Sequence, residues 1–144
     1  MPPRECSITD TLNLVGERWT LLVVRELSHG VRRFEGIARN TGAPRDILTT
    51  RLRRLEATGI VRREPYSAHP PRYEYHLTEA GEELGDVLLT LMAWGDRHLN
   101  AEDPPMRFQH ACGHGFTAAV VCAHCGQQAR EQLHSPTGRG VVTG

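Results

Sequence analysis

Two groups of residues have the types and spacing to do chemistry. In the first, Arg45, Thr49 and Arg53 recur at every fourth position, with Asp46, Thr50 and Arg54 beside them. Residues four apart share one ridge of a helix. A guanidinium fork matches the O6/N7 pair of guanine, and a threonine can bond a base edge or touch a thymine methyl. Arg32 and Arg33 before this stretch and Arg72 after it are placed to meet phosphates. The chemistry implied is recognition of duplex DNA, with phosphate contacts for affinity and base edges for discrimination. Arg51 falls near the inward side and is expected to pair with an acid or bury its stem.

The second group is built of thiols and imidazoles. Cys6 stands alone just before a helix start, a position that favours the reactive thiolate and suits oxidant sensing. Near the end of the chain, His110-Ala111-Cys112-Gly113-His114 precedes Cys122-Ala123-His124-Cys125-Gly126. Cys112, Cys122 and Cys125 with His110 or His114 would make a tetrahedral zinc site, structural rather than catalytic. Alternation along a strand would turn residues 110, 112 and 114 to one side, and the apolar run Phe116 to Val121 would be the return strand. His124 is expected to point away. The same cysteines could instead form a pair that oxidises reversibly, or stay as free thiols; all three states remain open. No other cofactor is implied.

Composition limits the alternatives. The chain has 144 residues, 39% hydrophobic and 24% charged, which suits one folded domain with a small appendage. No apolar run approaches the ~18–20 residues that cross a bilayer, and the N-terminus lacks an apolar signal region. A soluble cytoplasmic protein without a membrane partner is expected. The formal net charge is zero, yet residues 32–63 carry +6 and residues 74–103 carry −7. Such an asymmetry suggests one face for an anionic partner. All 17 basic residues are arginine. The absence of lysine removes a Walker phosphate loop and Schiff-base chemistry. A catalytic zinc would want a nearby carboxylate base, and Asp103 and Glu131 both fall in segments read as flexible. An enzyme is therefore not expected.

Four helices and a hairpin must position the arginine ridge. Ile8, Leu12 and Val15 mark a first helix from Ser7 to Val15. Trp19, Leu22, Val23 and Leu27 mark a central second helix ending near Gly30. A short third helix spans 34–41, stopped by Asn40-Thr41-Gly42. Pro44 opens a fourth, over 44–58, with Ile47, Leu48, Leu52 and Leu55 inward. The period then becomes two: Val61–Pro65 and Arg72–Leu77 read as strands joined by a loop over 67–71. Thr78 caps a long last helix that reaches about Leu99. Its stripe of Leu84, Leu88 and Leu91, broadened by Val87, Trp94 and His98, offers more apolar surface than a small core can cover. A homodimer interface through Leu84, Leu88, Leu91 and Trp94 is expected, with the first helix as a second contributor. The fold class is mainly α with a small β-hairpin, a winged helix-turn-helix with a long C-terminal dimerisation helix and a Cys/His-rich tail. Residues 6–100 form the DNA-binding and dimerisation domain, 106–130 the Cys/His appendage and 135–144 a flexible tail.

Several motifs together carry a resemblance: Cys6-Ser7-Ile8, Leu14 to Leu22 (LVGERWTLL), Arg33-Phe34, Leu48 to Glu56 (LTTRLRRLE), Gly59 to Arg63 (GIVRR) and Pro70 to Gly81 (PPRYEYHLTEAG). Over residues 6–99 the chain resembles the HxlR-type family of bacterial winged helix-turn-helix regulators, within the MarR-like superfamily. The resemblance implies a homodimer on a two-fold operator, acting as a repressor or activator and often responding to oxidants, electrophiles or small ligands. It implies that the 44–55 helix reads DNA and that Cys6 is a sensing position. The alternative from the residues alone is a small zinc-binding or thiol redox protein built on the C-terminal segment.

Overall fold

The alternation of apolar residues becomes seven elements in the computed structural model, which describes residues 4–130 and Leu133. In order these are α1 (Ser7–Val15), α2 (Arg18–Ser28), α3 (Phe34–Thr41), α4 (Arg45–Ala57), β1 (Val61–Ala68), β2 (Pro71–Leu77) and α5 (Glu79–His98). The expected tail over 135–144 and Glu131 lie outside the described residues. Among the described residues no helix is long and apolar enough to cross a membrane.

The chain divides into two units, one of Ile8–Leu88 and one that takes the N-terminal residues up to Ser7 with Leu89 onward. The first has its core under the helix-turn-helix. Val15, Val23, Val24, Leu27, Ile37, Ala43, Leu48, Leu52, Leu55, Ile60 and Val61 are buried there together. The inward set expected for α4 holds for Leu48, Leu52 and Leu55, while Ile47 is half-buried. Glu17 begins α2 by accepting the backbone N–H of Trp19 at 3.1 Å and the hydroxyl of Thr20 at 3.2 Å. Thr78 begins α5 in the same way, accepting the N–H of Gly81 at 3.2 Å while donating to the Gly59 carbonyl at 2.6 Å.

The hairpin is longer and its turn tighter than the sequence suggests. β1 and β2 pair antiparallel from Val61↔Leu77 to Ala68↔Pro71, with a bulge between Pro65 and Ser67. Pro70 and Pro71 argued for a loop over 67–71, but strand ends and edge positions tolerate a residue without an N–H, so Ser67, Ala68 and Pro71 join the strands. Residues 32 and 33 add a short third rung: Tyr75 N–H donates to the Arg32 carbonyl at 2.8 Å, and Arg33 bridges Glu74.

α5 differs from expectation in one respect. Leu84 and Leu88 are half-buried and pack on the core of their own unit rather than forming one exposed stripe with Leu91. Val87, Leu91 and Trp94 are the exposed large hydrophobic residues of the helix, at 45%, 53% and 56%. On α1, Ile8 and Leu12 are exposed.

In the second unit the expected strand over Phe116–Val121 does not form. Two local turns flank it, each closed by a β-bridge, Gln109↔Gly115 and Val121↔Gln128. Each carries a glycine with positive φ after a cysteine, Gly113 at 91° and Gly126 at 74°.

Candidate nucleic-acid interface

The turn between α3 and α4 sets the site. Gly42, at φ 74°, ends α3 in the left-handed region that glycine enters without strain, and its N–H donates to the Ala38 carbonyl at 2.9 Å. Thr41 donates its hydroxyl to the Ile37 carbonyl at 2.7 Å and accepts the Ala43 N–H at 3.2 Å. Pro44, three residues after the end of α3, then caps α4 one residue before its start at Arg45. Below the pair, Glu26 of α2 is buried and bonded on both oxygens: Asn40 Nδ2 donates at 2.8 Å and Arg25 Nε at 2.9 Å.

With its leucines inward, α4 turns Arg45, Asp46, Thr50, Arg53 and Arg54 outward, and Thr49 sits half-buried among them. Both threonine hydroxyls donate to carbonyls one turn back, Thr49 to Arg45 at 2.9 Å and Thr50 to Asp46 at 3.0 Å. Their protons are spent, so each offers a methyl group and an accepting oxygen. Arg45 is gripped by Glu35 of α3 through two hydrogen bonds of 2.9 and 2.7 Å. Arg54, expected on the outward face, reaches back to the Asn13 carbonyl at 2.8 Å and ties α4 to α1. Arg51 pairs with Glu17 at 3.0 Å, the inward role expected of it.

The arginines beside the hairpin are less free than the sequence implies. Arg32 is half-buried and donates from Nη1 to His76 Nδ1 at 2.9 Å. His76 must therefore be neutral at Nδ1 and carry its proton on Nε2, which faces Glu64 at 3.2 Å. Burial, with Arg32 and Arg62 nearby, holds the His76 pKa below its ordinary value of 6.5. Arg33 is exposed, stacks on the Tyr66 ring at 4.1 Å and meets Glu74 at 3.4 Å. Arg63, which sequence reasoning did not single out, stacks on Tyr73 at 4.1 Å. Arg72 is exposed. The site thus groups Arg45, Thr49, Thr50 and Arg53 on one helix, while Arg32 and Arg54 serve internal bonds.

The thiols are separate from this surface in chemistry. Cys6, Cys112, Cys122 and Cys125 are all exposed and none is in a disulfide. Cys112 Sγ lies 3.6 Å from His114 Nδ1, and its N–H donates to His110 Nδ1 at 3.2 Å. Cys122 has its pKa lowered by the backbone N–H groups of Cys125 and His124 and by the Cys125 thiol, as donors aimed at a sulfur stabilise its thiolate. Among the described residues no three His, Cys, Asp or Glu side chains gather as a metal centre requires. The donors at 110–114 and at 122–125 form no common cluster among the described residues.

Known proteins place this arrangement. An HTH-type transcriptional regulator of Mycobacterium tuberculosis is 48% identical over 132 residues, covering 90% of this chain and 84% of its own. The crystal structure of the transcription factor PA1607 superimposes with a TM-score of 0.79 at 26% identity, covering 91% of this chain and 94% of that one. The redox regulator HypR in its oxidised form has a TM-score of 0.56 at 35% identity and covers 65% of this chain and 97% of its own. The family described as HxlR-like helix-turn-helix matches residues 14–103. With the helix-turn-helix, hairpin and arginine face already in place, the chain belongs to that family and is a transcriptional regulator rather than an enzyme.

Proposed function

We propose that the chain acts as a homodimeric repressor that reads a two-fold operator through α4. The observation that carries this reading is the outward face of α4, where Arg45, Thr49, Thr50 and Arg53 follow a tight turn at the helix start. The first residues of such a helix enter the major groove. Asp46 next to Arg45 fits an acceptor for a cytosine amino group. Arg33 and Arg72 supply phosphate contacts, joined by Arg32 and Arg54 if their internal bonds exchange for phosphate. Residues 6–100 hold this machinery, and residues 106–130 form the appendage. The dimer reading is supported by exposed Ile8 and Leu12 on α1 and exposed Val87, Leu91 and Trp94 on α5. Leu84 and Leu88 brace the helix from within.

Occupancy of the operator responds to oxidants in this reading. HypR, a redox regulator, supports it, and so does Cys122, whose pKa the backbone N–H groups of Cys125 and His124 lower. With a hydroperoxide, the Cys122 thiolate attacks the outer oxygen and the alcohol leaves. Cys125 then displaces water from the sulfenic acid, so two thiols and one hydroperoxide give one disulfide, one alcohol and one water. Cys6, exposed before α1, is the second sensing thiol.

The test is selection of bound duplexes from a randomised library, followed by titration at several salt concentrations. Enrichment of a two-fold sequence, with log affinity falling linearly with log salt, supports the reading. Recovery of no sequence preference overturns it. Stoichiometric zinc in the purified protein, lost in Cys125→Ser, would replace the dithiol with a metal site.

A further inference from the structure

The first residue of α4 is held before any duplex arrives. Glu35 on α3 accepts from Arg45 Nη1 at 2.9 Å and from Nη2 at 2.7 Å. The Phe34 ring lies against the same guanidinium, 4.9 Å from its carbon. Ten residues separate Glu35 from Arg45, so the clamp spans the Gly42 turn and joins the two helices of the motif. Both side chains are well exposed, at 71% and 65%. Exposed ion pairs add little to stability, so a strut is a poor account of this contact.

What the contact fixes is direction. A guanidinium carries five N–H groups in a rigid plane. They form two useful edges, an end made by Nη1 and Nη2 and a side made by Nε and Nη2. Glu35 takes the end, and the Phe34 ring limits rotation of the plane. The side edge keeps two parallel N–H groups, the geometry that meets guanine O6 and N7. The carboxylate also works against indiscriminate binding, because it cancels the charge of Arg45 and repels phosphate. Its hydrogen bond to Arg45 lowers the Glu35 pKa below the ordinary carboxylate value.

We infer that Glu35 is a specificity-determining residue, which aims the Nε/Nη2 edge of Arg45 at a guanine and withholds the guanidinium from phosphates. This inference rests on the reading that α4 enters the major groove.

The experiment uses full-length protein and duplexes selected by it from a randomised library. Affinity is measured for the selected duplex, for copies carrying 7-deazaguanine at one guanine at a time, and for a scrambled duplex. Loss of N7 at the guanine read by Arg45 should weaken the wild type on the order of tenfold. Glu35→Asp keeps the charge but is one methylene short. It should lose most of that penalty while its affinity for scrambled DNA stays within about twofold. Glu35→Gln should lose the penalty too and bind scrambled DNA more tightly, with a salt slope steeper by about one. Unfolding profiles matching wild type show that both variants are intact. Retention of the full 7-deazaguanine penalty in both variants overturns the role of Glu35 alone. A wild type with a selected sequence but no sensitive guanine overturns it through Arg45, and a wild type that selects nothing removes the groove reading beneath it.

Discussion

Glu26 of α2 and Asn40 of α3 meet at 2.8 Å beneath the helix-turn-helix, and Glu26 is 5% exposed. A charge so placed is stable only while its oxygens are bonded. Arg25 serves one oxygen and Asn40 the other, which fixes the end of α3 on α2. Asn40→Ala should destabilise the fold by about 1–3 kcal/mol, since a buried acceptor is left unpaired. Chemical unfolding measures this, and a change near zero would show the oxygen finding another donor.

Gly81 is the second point of close approach. A β-carbon there would stand 2.2 Å from the Ile60 carbonyl oxygen. Because backbone on both sides must shift, Gly81→Ala should cost about 1–3 kcal/mol by overpacking. By contrast, Gly95 has open space around it, so Gly95→Ala should be neutral or slightly stabilising in a thermal melt.

The hairpin should register pH through His76. Its folded pKa lies below the ordinary 6.5, so the unfolded chain binds the proton more tightly. The sign follows: the stability linked to His76 is fully present above pH 6.5 and is lost as pH falls from there toward the folded value. Arg32, Arg62, Glu64 and Glu74 surround the ring, so His76→Gln should flatten the pH profile of unfolding in that window. A profile identical to wild type would assign the acid sensitivity elsewhere.

Association should depend on the exposed residues of α5. Replacing Leu91 and Trp94 together by Glu and Gln should shift sedimentation from dimer toward monomer and weaken operator binding. The same double variant should leave the helical spectrum unchanged, because both residues are exposed in the single chain. Leu88→Ala should behave oppositely, lowering stability by about 2–5 kcal/mol at most with the smaller values for its partial burial. An unaltered sedimentation profile for the double variant would move the interface to α1.

α1 and α3 were legible to the residue, since Val15-Gly16 and Thr41-Gly42 give the helix ends local chemistry. The inward leucines of α4 followed from period alone. The hairpin's length did not, because Pro70 and Pro71 read as loop and only the edge geometry makes Pro71 acceptable in a strand. Period places Leu84, Leu88 and Leu91 on one face but cannot say where the core beneath them stops, and it stops after Leu88. The same limit applies to the arginines. Arg54 and Arg32 have long stems whose partners, Asn13 and His76, lie 41 and 44 positions away. Glu35, eleven residues before Asp46 and on another helix, gave no local sign of its grip on Arg45. In the 106–130 segment the motif spacing was visible, yet the turns close on themselves and Phe116–Val121 forms no strand.

The spent hydroxyl protons of Thr49 and Thr50 have an outcome for the genome the regulator works in. On the major-groove reading, these side chains offer a methyl group and an accepting oxygen, and thymine carries its own methyl at C5. A cytosine methylated at C5 presents the same group at the same place. On that reading, a duplex carrying 5-methylcytosine would present these two side chains with a different surface from an unmodified one.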